Sequence, residues 1–241
     1  MINQQNGGFL SSLPPVTKNL IIINALFWVA SLVLPKVGVD LTELLGLHFF
    51  AAKHFNPVQL VTYMFLHDTG SITHLFFNMF AVFMFGRSLE MFWGSRRFLI
   101  FYLVTGVGAG LIQELTWIWS LRDIFANATI EMINLNGEQI ISKAEYFDLF
   151  ITVGASGAVF GILLAFGMYF PNTPLFIMFI PIPVKAKYVV AGYGLIELFA
   201  GIVGFRGDPI AHFAHLGGML FGFIMIIYWK KKYRSNDGGY F

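Results

Sequence analysis

Long uninterrupted runs of apolar residues dominate the sequence, rather than the 3.6-residue alternation of a half-buried helix. A helix that crosses about 30 Å of hydrocarbon needs about 20 predominantly apolar residues. Runs of roughly this length occupy 19–34, 73–93, 97–119, 150–170, 184–204 and 209–229. The pattern predicts an all-α polytopic membrane protein, a bundle of six transmembrane helices.

Composition supports the same environment. Of 241 residues, 57% are hydrophobic and 12% are charged, whereas a soluble domain carries about 25% charged residues. The net charge of +2 is too small for an electrostatic nucleic-acid surface, and we exclude that class of partner. The absence of cysteine excludes a thiol nucleophile and disulfides. The lipid bilayer is therefore the expected partner of most of the surface.

A single membrane domain fits the length of the chain. We expect it to cover 19–229, after a cytoplasmic N-terminal segment, 1–18, and before a basic cytoplasmic tail, 230–241. The start of the chain lacks a basic stretch followed directly by a short apolar core, so we expect no cleaved signal peptide.

Lysine and arginine set the expected orientation, because cytoplasmic loops collect them. One side carries nine basic residues: Lys18, Arg96, Arg97, Lys185, Lys187, Lys230, Lys231, Lys232 and Arg234. The other side carries five: Lys36, Lys53, Arg122, Lys143 and Arg206. We expect both termini in the cytoplasm, in a bacterial inner membrane. The segments 35–72 and 120–149 then lie outside, as surface helices or a cap.

Four polar side chains share a predicted depth in the bilayer, where each polar group is costly. His74, Ser156 and His215 lie six to eight residues past the last acidic residue before their spans, which corresponds to about 9–12 Å of helical rise. Asn78 is at i+4 from His74 and shares its helix face. Three spans entering from the external side thus bring these groups to one level.

Glycines flank both Ser156, in GASGAVFG, and His215, in AHLGGMLFG. Ordinary helices pack 8–10 Å apart, so a direct hydrogen bond from serine to histidine needs small residues beside both. Close helix packing is expected at Gly154, Gly157, Gly161, Gly217, Gly218 and Gly222. Packing alone explains either group, but their joint occurrence at matched depth favours a site.

These residue types suit acyl transfer. Histidine activates a serine nucleophile near neutral pH, which gives Ser156 and His215 catalytic roles. His74, the Asn78 amide and the Ser156 backbone N–H are candidate donors to an oxyanion. The buried acids Glu114 and Glu197 lie at depths that do not match His215, so we predict a dyad.

A metal centre is disfavoured by the sequence. His212 lies three residues before His215, but no HExxH pattern occurs and no carboxylate is expected beside the two histidines. We therefore predict no metal and no cofactor.

The three patterns HLFFN, GASGAVFG and AHLGGMLFG, in the second, fourth and sixth spans, resemble the rhomboid family of intramembrane serine proteases. The resemblance covers all six spans. It implies a Ser156–His215 dyad, an oxyanion site at His74 and Asn78, and Phe160 packed on the His215 ring. It also implies that the first external loop lies partly in the membrane. Many members carry a Trp-Arg pair in that loop, and none occurs between Pro35 and His74 here.

The leading hypothesis is an endopeptidase that cleaves transmembrane or membrane-proximal segments of single-span membrane proteins. Segments with helix-weakening residues are the expected substrates, because a peptide bond in an intact helix is shielded. A non-catalytic relative that binds membrane proteins is a second reading. A proton-coupled transporter that uses His74, His215 and Glu197 is a third, although the chain lacks the internal repeats typical of transporters.

Overall fold

The computed structural model describes residues 12–135, 137, 139–176, 182–204 and 211–236, without the side chains of 233–236. Its six longest helices form one bundle. We label them α1 (Pro15–Val33), α2 (Ile72–Trp93, with a π-helical turn at Val82–Gly86), α3 (Ser95–Ser120), α4 (Ser156–Tyr169), α5 (Ala186–Val203) and α6 (His212–Asn236). All of these helices except α4 are long and apolar enough to cross a membrane. The predicted all-α polytopic membrane fold is confirmed.

The fourth helix begins later than predicted. We expected a span at 150–170, but Ile151–Thr152 pairs in antiparallel register with Leu47–His48, and α4 starts at Ser156. With 14 residues, α4 is about 21 Å long, short of the roughly 30 Å of hydrocarbon. An extended strand takes the place of its first turns.

The depth that we predicted from helical rise is therefore wrong, because the residues before Ser156 and His74 are not all helical. Ser156 is the first residue of α4, and His74 and His215 lie in the first turns of α2 and α6. The predicted start of the sixth span, 209–210, lies outside the described residues. Its end lies beyond 229, because α6 continues to Asn236. Part of the expected tail, 230–241, is thus helical.

Short elements connect the long helices. The helical ones are Leu34–Val37, Leu41–Leu45, Gln59–Thr62, Tyr63–Phe65, Arg122–Ala126 and Lys143–Asp148. The strands are Leu47–His48, Met132–Leu135, Gln139–Ser142, Ile151–Thr152, Pro174–Leu175 and Val184–Lys185, which form three antiparallel pairs. The segment 120–149, for which we expected a surface helix or a cap, contains two short helices and a hairpin of Met132–Leu135 with Gln139–Ser142. Gly137, between the two strands, has φ +81°, a backbone conformation that favours glycine.

The helix α3 forms the centre of the bundle. Phe98, Phe101 and Tyr102 are fully buried on it, and it packs against both α4 and α6. Glu90 at the end of α2 ties α1 to this centre, since its carboxylate accepts the backbone N–H of Thr17 at 2.7 Å. A carboxylate at a helix N-terminus satisfies unpaired N–H groups and complements the helix dipole.

The segment 35–72, which we expected on the external side, is anchored to α3. Phe49 is fully buried in a cluster of aromatic rings, and the Phe50 N–H donates to Glu114 Oε2 at 3.0 Å. The Tyr63 hydroxyl donates to the carbonyl of Gly106 at 2.7 Å. These contacts hold the segment against α3.

Candidate active site

Three helices begin beside one another at the candidate site. Ser156 opens α4, and His215 and His74 lie in the first turns of α6 and α2. The first N–H groups of a helix have no partner within the helix and carry partial positive charge. The site is therefore suited to a group that develops negative charge.

Ser156 and His215 are in direct contact. The Ser156 hydroxyl lies 2.8 Å from Nε2 of His215, a normal hydrogen-bond distance. His215 is buried, whereas Ser156 is partly exposed. The ring of Phe160, one turn along α4, stacks on the His215 ring with centroids 4.3 Å apart and planes 7° from parallel. The His215 ring is thus fixed on one face by Phe160 and at Nε2 by Ser156.

Glycines allow the backbones of α4 and α6 to touch. A methyl group on Gly218 would overlap the carbonyl of Gly157, and one on Gly222 would lie 3.4 Å from the Cα of Gly161. Glycines also allow α4 and α6 to approach α3. A methyl group on Gly161 would lie 2.8 Å from Thr105, and one on Gly217 would lie 2.7 Å from Ile112. A methyl group on Gly157 would overlap Ala109. These contacts bring the short serine side chain within reach of a histidine on another helix.

Gly154 does not pack between helices, which corrects our prediction for it. It lies in the turn before α4. Its φ of +134° is a backbone conformation that residues other than glycine rarely adopt. Its N–H donates to the carbonyl of Tyr63 at 3.0 Å. A methyl group there would lie 3.0 Å from His74 Nε2 and 3.6 Å from Ser156 Oγ. Gly154 therefore leaves open the space between these two side chains.

His74 presents a donor to that space. The Asp68 N–H donates to His74 Nδ1 at 3.2 Å, so a neutral His74 carries its proton on Nε2. Behind it, His67 packs edge-on with ring centroids 5.0 Å apart. Burial, and secondarily the neighbouring His74, lower the pKa of His67 to about 3. His67 is thus neutral near pH 7.

Asn78 is buried one turn deeper in α2. Its amide nitrogen donates to the carbonyl of His74 at 2.8 Å. Among the described residues, neither Asn78 nor His74 hydrogen-bonds to Ser156. Of the other three predicted site residues, only His215 is therefore hydrogen-bonded to Ser156.

Glu197 was predicted to lie at a different depth from His215, but it lies beside it. Its Oε2 lies 2.9 Å from Nδ1 of His215 and 2.7 Å from Nδ1 of His212. The prediction that no carboxylate matches the depth of His215 is therefore wrong. One signal was present in the sequence: Glu197 is the only charged residue between Lys187 and Arg206, and a lone acid in a membrane helix needs a partner.

The same distances correct the argument against a metal centre. The potential ligand atoms of Glu197, His212 and His215 lie within 4.8 Å of one another, so a carboxylate does accompany the two histidines. That this site binds no metal stays a prediction.

Fold and site together define a polytopic membrane protein with a serine–histidine pair at the meeting point of three helix N-termini. The chain belongs to the rhomboid family, because the model of the Rhomboid domain matches residues 54–232.

Curated relatives agree with this assignment. The chain is 28% identical over 177 residues to Rhomboid protease AarA of Providencia stuartii, covering 68% of this chain and 53% of the relative. It is 28% identical over 167 residues to the putative rhomboid protease YdcA of Bacillus subtilis (69% and 64% covered). To Rhomboid-like protein 11, chloroplastic, of Arabidopsis thaliana it is 26% identical over 221 residues (84% and 64%). The matched regions span between about half and two thirds of these relatives.

Proposed function

We propose that the chain is an intramembrane serine endopeptidase that uses Ser156 as nucleophile and His215 as general base. The observation that carries the proposal is the 2.8 Å contact between Ser156 Oγ and His215 Nε2 inside a bundle of membrane helices. Membership of the rhomboid family supports the same reading, as do relatives named rhomboid proteases.

The reaction follows from the geometry of this pair. Ser156 Oγ attacks the carbonyl carbon of the scissile peptide bond while His215 Nε2 takes the hydroxyl proton. The tetrahedral intermediate collapses, the C–N bond breaks, and His215 returns the proton to the leaving amine. A water molecule, deprotonated by His215, then hydrolyses the acyl-enzyme ester and restores the serine hydroxyl.

The negative charge on the carbonyl oxygen needs donors that are already in place. His74 Nε2–H borders the open space beside Ser156, and the backbone N–H of Ser156 belongs to the unpaired first turn of α4. The amide of Asn78 has a second N–H besides the one donated to His74. The Asn78→Ala variant and the His74→Ala variant each lose one donor and keep the other two.

Membrane proteins with a single span are the proposed substrates. Ser156 lies at the outer end of a helix about 9 Å too short to cross the hydrocarbon, and the extended strand Ile151–Thr152 precedes it. A substrate segment must be unwound to reach the serine, because the carbonyl of a helical peptide bond is already hydrogen-bonded. Segments rich in glycine or in other poor helix formers are therefore expected to be cleaved fastest.

The proposed location is a bacterial inner membrane, with cytoplasmic termini and the active site toward the external side. The basic residues support this orientation through the positive-inside rule. A cysteine introduced at Asn127 into the cysteine-free chain tests it. An impermeant thiol reagent should label this cysteine in intact cells, and labelling only after permeabilisation would contradict the orientation.

Cleavage itself is tested with purified protein in proteoliposomes and a panel of single-span membrane proteins. Wild-type protein should cut at least one member of the panel, with the new N-terminus in or near its span. Ser156→Ala should cut none. Cleavage by Ser156→Ala at the same site would exclude Ser156 as the nucleophile.

A further inference from the structure

The third group at the site is the carboxylate of Glu197. The side chains of Glu197, His212 and His215 are each about 90% buried, and one carboxylate oxygen meets Nδ1 of both imidazoles, at 2.7 and 2.9 Å. Glu197 lies on α5, a different helix from the histidines, so the contact joins α5 to the first turn of α6. The other ring nitrogen of His215, Nε2, contacts the Ser156 hydroxyl.

The hydrogen-bond inventory fixes the proton on His215. An ionised carboxylate only accepts hydrogen bonds, so Nδ1 of His215 must donate to it. A neutral imidazole then has its lone pair on Nε2, the atom that must take the proton of the Ser156 hydroxyl. The opposite tautomer would place a lone pair on Nδ1 against the carboxylate and a proton on Nε2 against the serine.

We propose that Glu197 is a positioning residue of the proposed peptidase, which holds His215 in the Nδ1–H tautomer and orients its ring toward Ser156. The inference rests on the proposed function and adds a carboxylate to the serine–histidine pair. When His215 accepts the serine proton, the carboxylate also stabilises the imidazolium that forms, as the acid does in soluble Ser-His-Asp triads.

The surroundings of Glu197 explain why the carboxylate stays in this place. Its neighbours Ile196 and Leu198 on α5 are exposed on the outside of the bundle, where lipid is expected. A carboxylate that turned toward lipid would lose all its partners at a high cost in free energy. The N–H of His212 is a second donor to the same oxygen, so it also holds the carboxylate in place.

The inference is tested by the rate at which a serine-reactive phosphonate labels Ser156, together with kcat and KM for one cleaved substrate. Glu197→Gln keeps the shape of the side chain but replaces an oxygen acceptor by an N–H₂ donor. We expect labelling and kcat to fall by about 10²- to 10⁴-fold, the upper figure being the cost of the equivalent change in a soluble triad. KM should change little, and Glu197→Asp should recover part of the rate.

Glu114→Gln is the matched control, because Glu114 is also a buried acid but its bond goes to the backbone of Phe50. It should label at a rate close to wild type. A spectroscopic measurement separates positioning of His215 from a role of Glu197 in merely holding α5 against α6. In ¹⁵N NMR of histidine-labelled protein, His215 should be in the Nδ1–H tautomer in wild type and in Glu197→Asp. This readout also carries the test if Glu197→Gln does not fold.

The outcomes separate the two proposals. If wild-type protein is not labelled at Ser156, the proposed function fails. If wild type is labelled and Glu197→Gln is labelled at the same rate, or if His215 in wild type is in the Nε2–H tautomer, only the role of Glu197 is overturned. EDTA should leave the rate unchanged. A rate that falls with EDTA and returns with Zn²⁺ would overturn the positioning role in favour of a metal centre on the same three side chains.

Discussion

Ser156 has two flanks that differ in structure: the α6 flank, where it faces His215, and the α2 flank, where it faces His74 and Asn78. On the α6 flank the contact with His215 is direct, at 2.8 Å, and the helix backbones touch at Gly157 and Gly218. On the α2 flank, His74 faces Ser156 across the open space beside Gly154, and Asn78 is bonded to its own helix.

The difference follows the order of events in acyl transfer. Proton transfer from the serine hydroxyl starts the reaction, so the base must already be in position, and a contact between backbones keeps it there. Oxyanion donors act only when charge develops on the substrate, and their hydrogen bonds are often long or absent before substrate binds. The preset flank is thus the one with the proposed base, and the flank with the proposed donors has room for the carbonyl oxygen.

Three predictions test this contrast. The largest expected loss of activity follows from substitutions on the α2 flank. His74→Ala or Asn78→Ala should lower kcat by up to about 10²- to 10³-fold, the usual cost of one oxyanion donor. The interaction is made only in the transition state, so KM should stay nearly constant. Cleavage should remain measurable, since other donors survive. If folded Asn78→Ala were as inactive as Ser156→Ala, the division of roles between the flanks would be wrong.

Gly218→Ala tests the α6 flank. The added methyl group would overlap the carbonyl of Gly157, so α4 and α6 must separate. A misplacement of about 1 Å can cost about 10² in rate, and we expect Ser156 labelling to slow by about that factor. The unfolding midpoint should fall as well, because overpacking is destabilising. A wild-type labelling rate would mean that the glycine contact does not set the serine–histidine distance.

Gly192→Ala should have the smallest effect and is the matched control for Gly218→Ala. A methyl group on Gly192, in α5, would meet nothing within 4 Å. Labelling should change by less than about twofold, as for a surface substitution, and the unfolding midpoint should stay or rise, because alanine is the better helix former. If Gly192→Ala slowed labelling as much as Gly218→Ala, an added methyl group anywhere in the bundle would lower the rate. The contact between α4 and α6 would then have no special role.

The sequence predicted most of the bundle because long apolar runs have few alternatives. It also predicted that Ser156 meets His215, because the glycines beside each residue allow the close helix packing that such a contact needs. The start of α4 was not predictable from apolarity, because the residues Ile151 and Thr152 are as compatible with a strand as with a helix turn. Only pairing with Leu47–His48 decides between the two.

Glu197 was missed for a different reason. Sequence gives the position of a residue along its own helix, but the offset between two helices depends on how they pack. Which residues of α5 and α6 lie at one level is decided by how the two helices pack. The anchoring of 35–72 was hidden in the same way, because Glu114 and Phe50 are far apart in the chain and contact only in the folded protein.

The central claim, that Ser156 and His215 act as nucleophile and base, is tested most directly by labelling with a serine-reactive phosphonate and locating the adduct by mass spectrometry. We predict one adduct, on Ser156, in wild type and in His212→Ala. His215→Ala, Ser156→Ala and the double variant should all react at the background rate, because residues that act as a unit do not contribute additively. An adduct on another serine, or His215→Ala that labels at the wild-type rate while His212→Ala does not, would contradict this account.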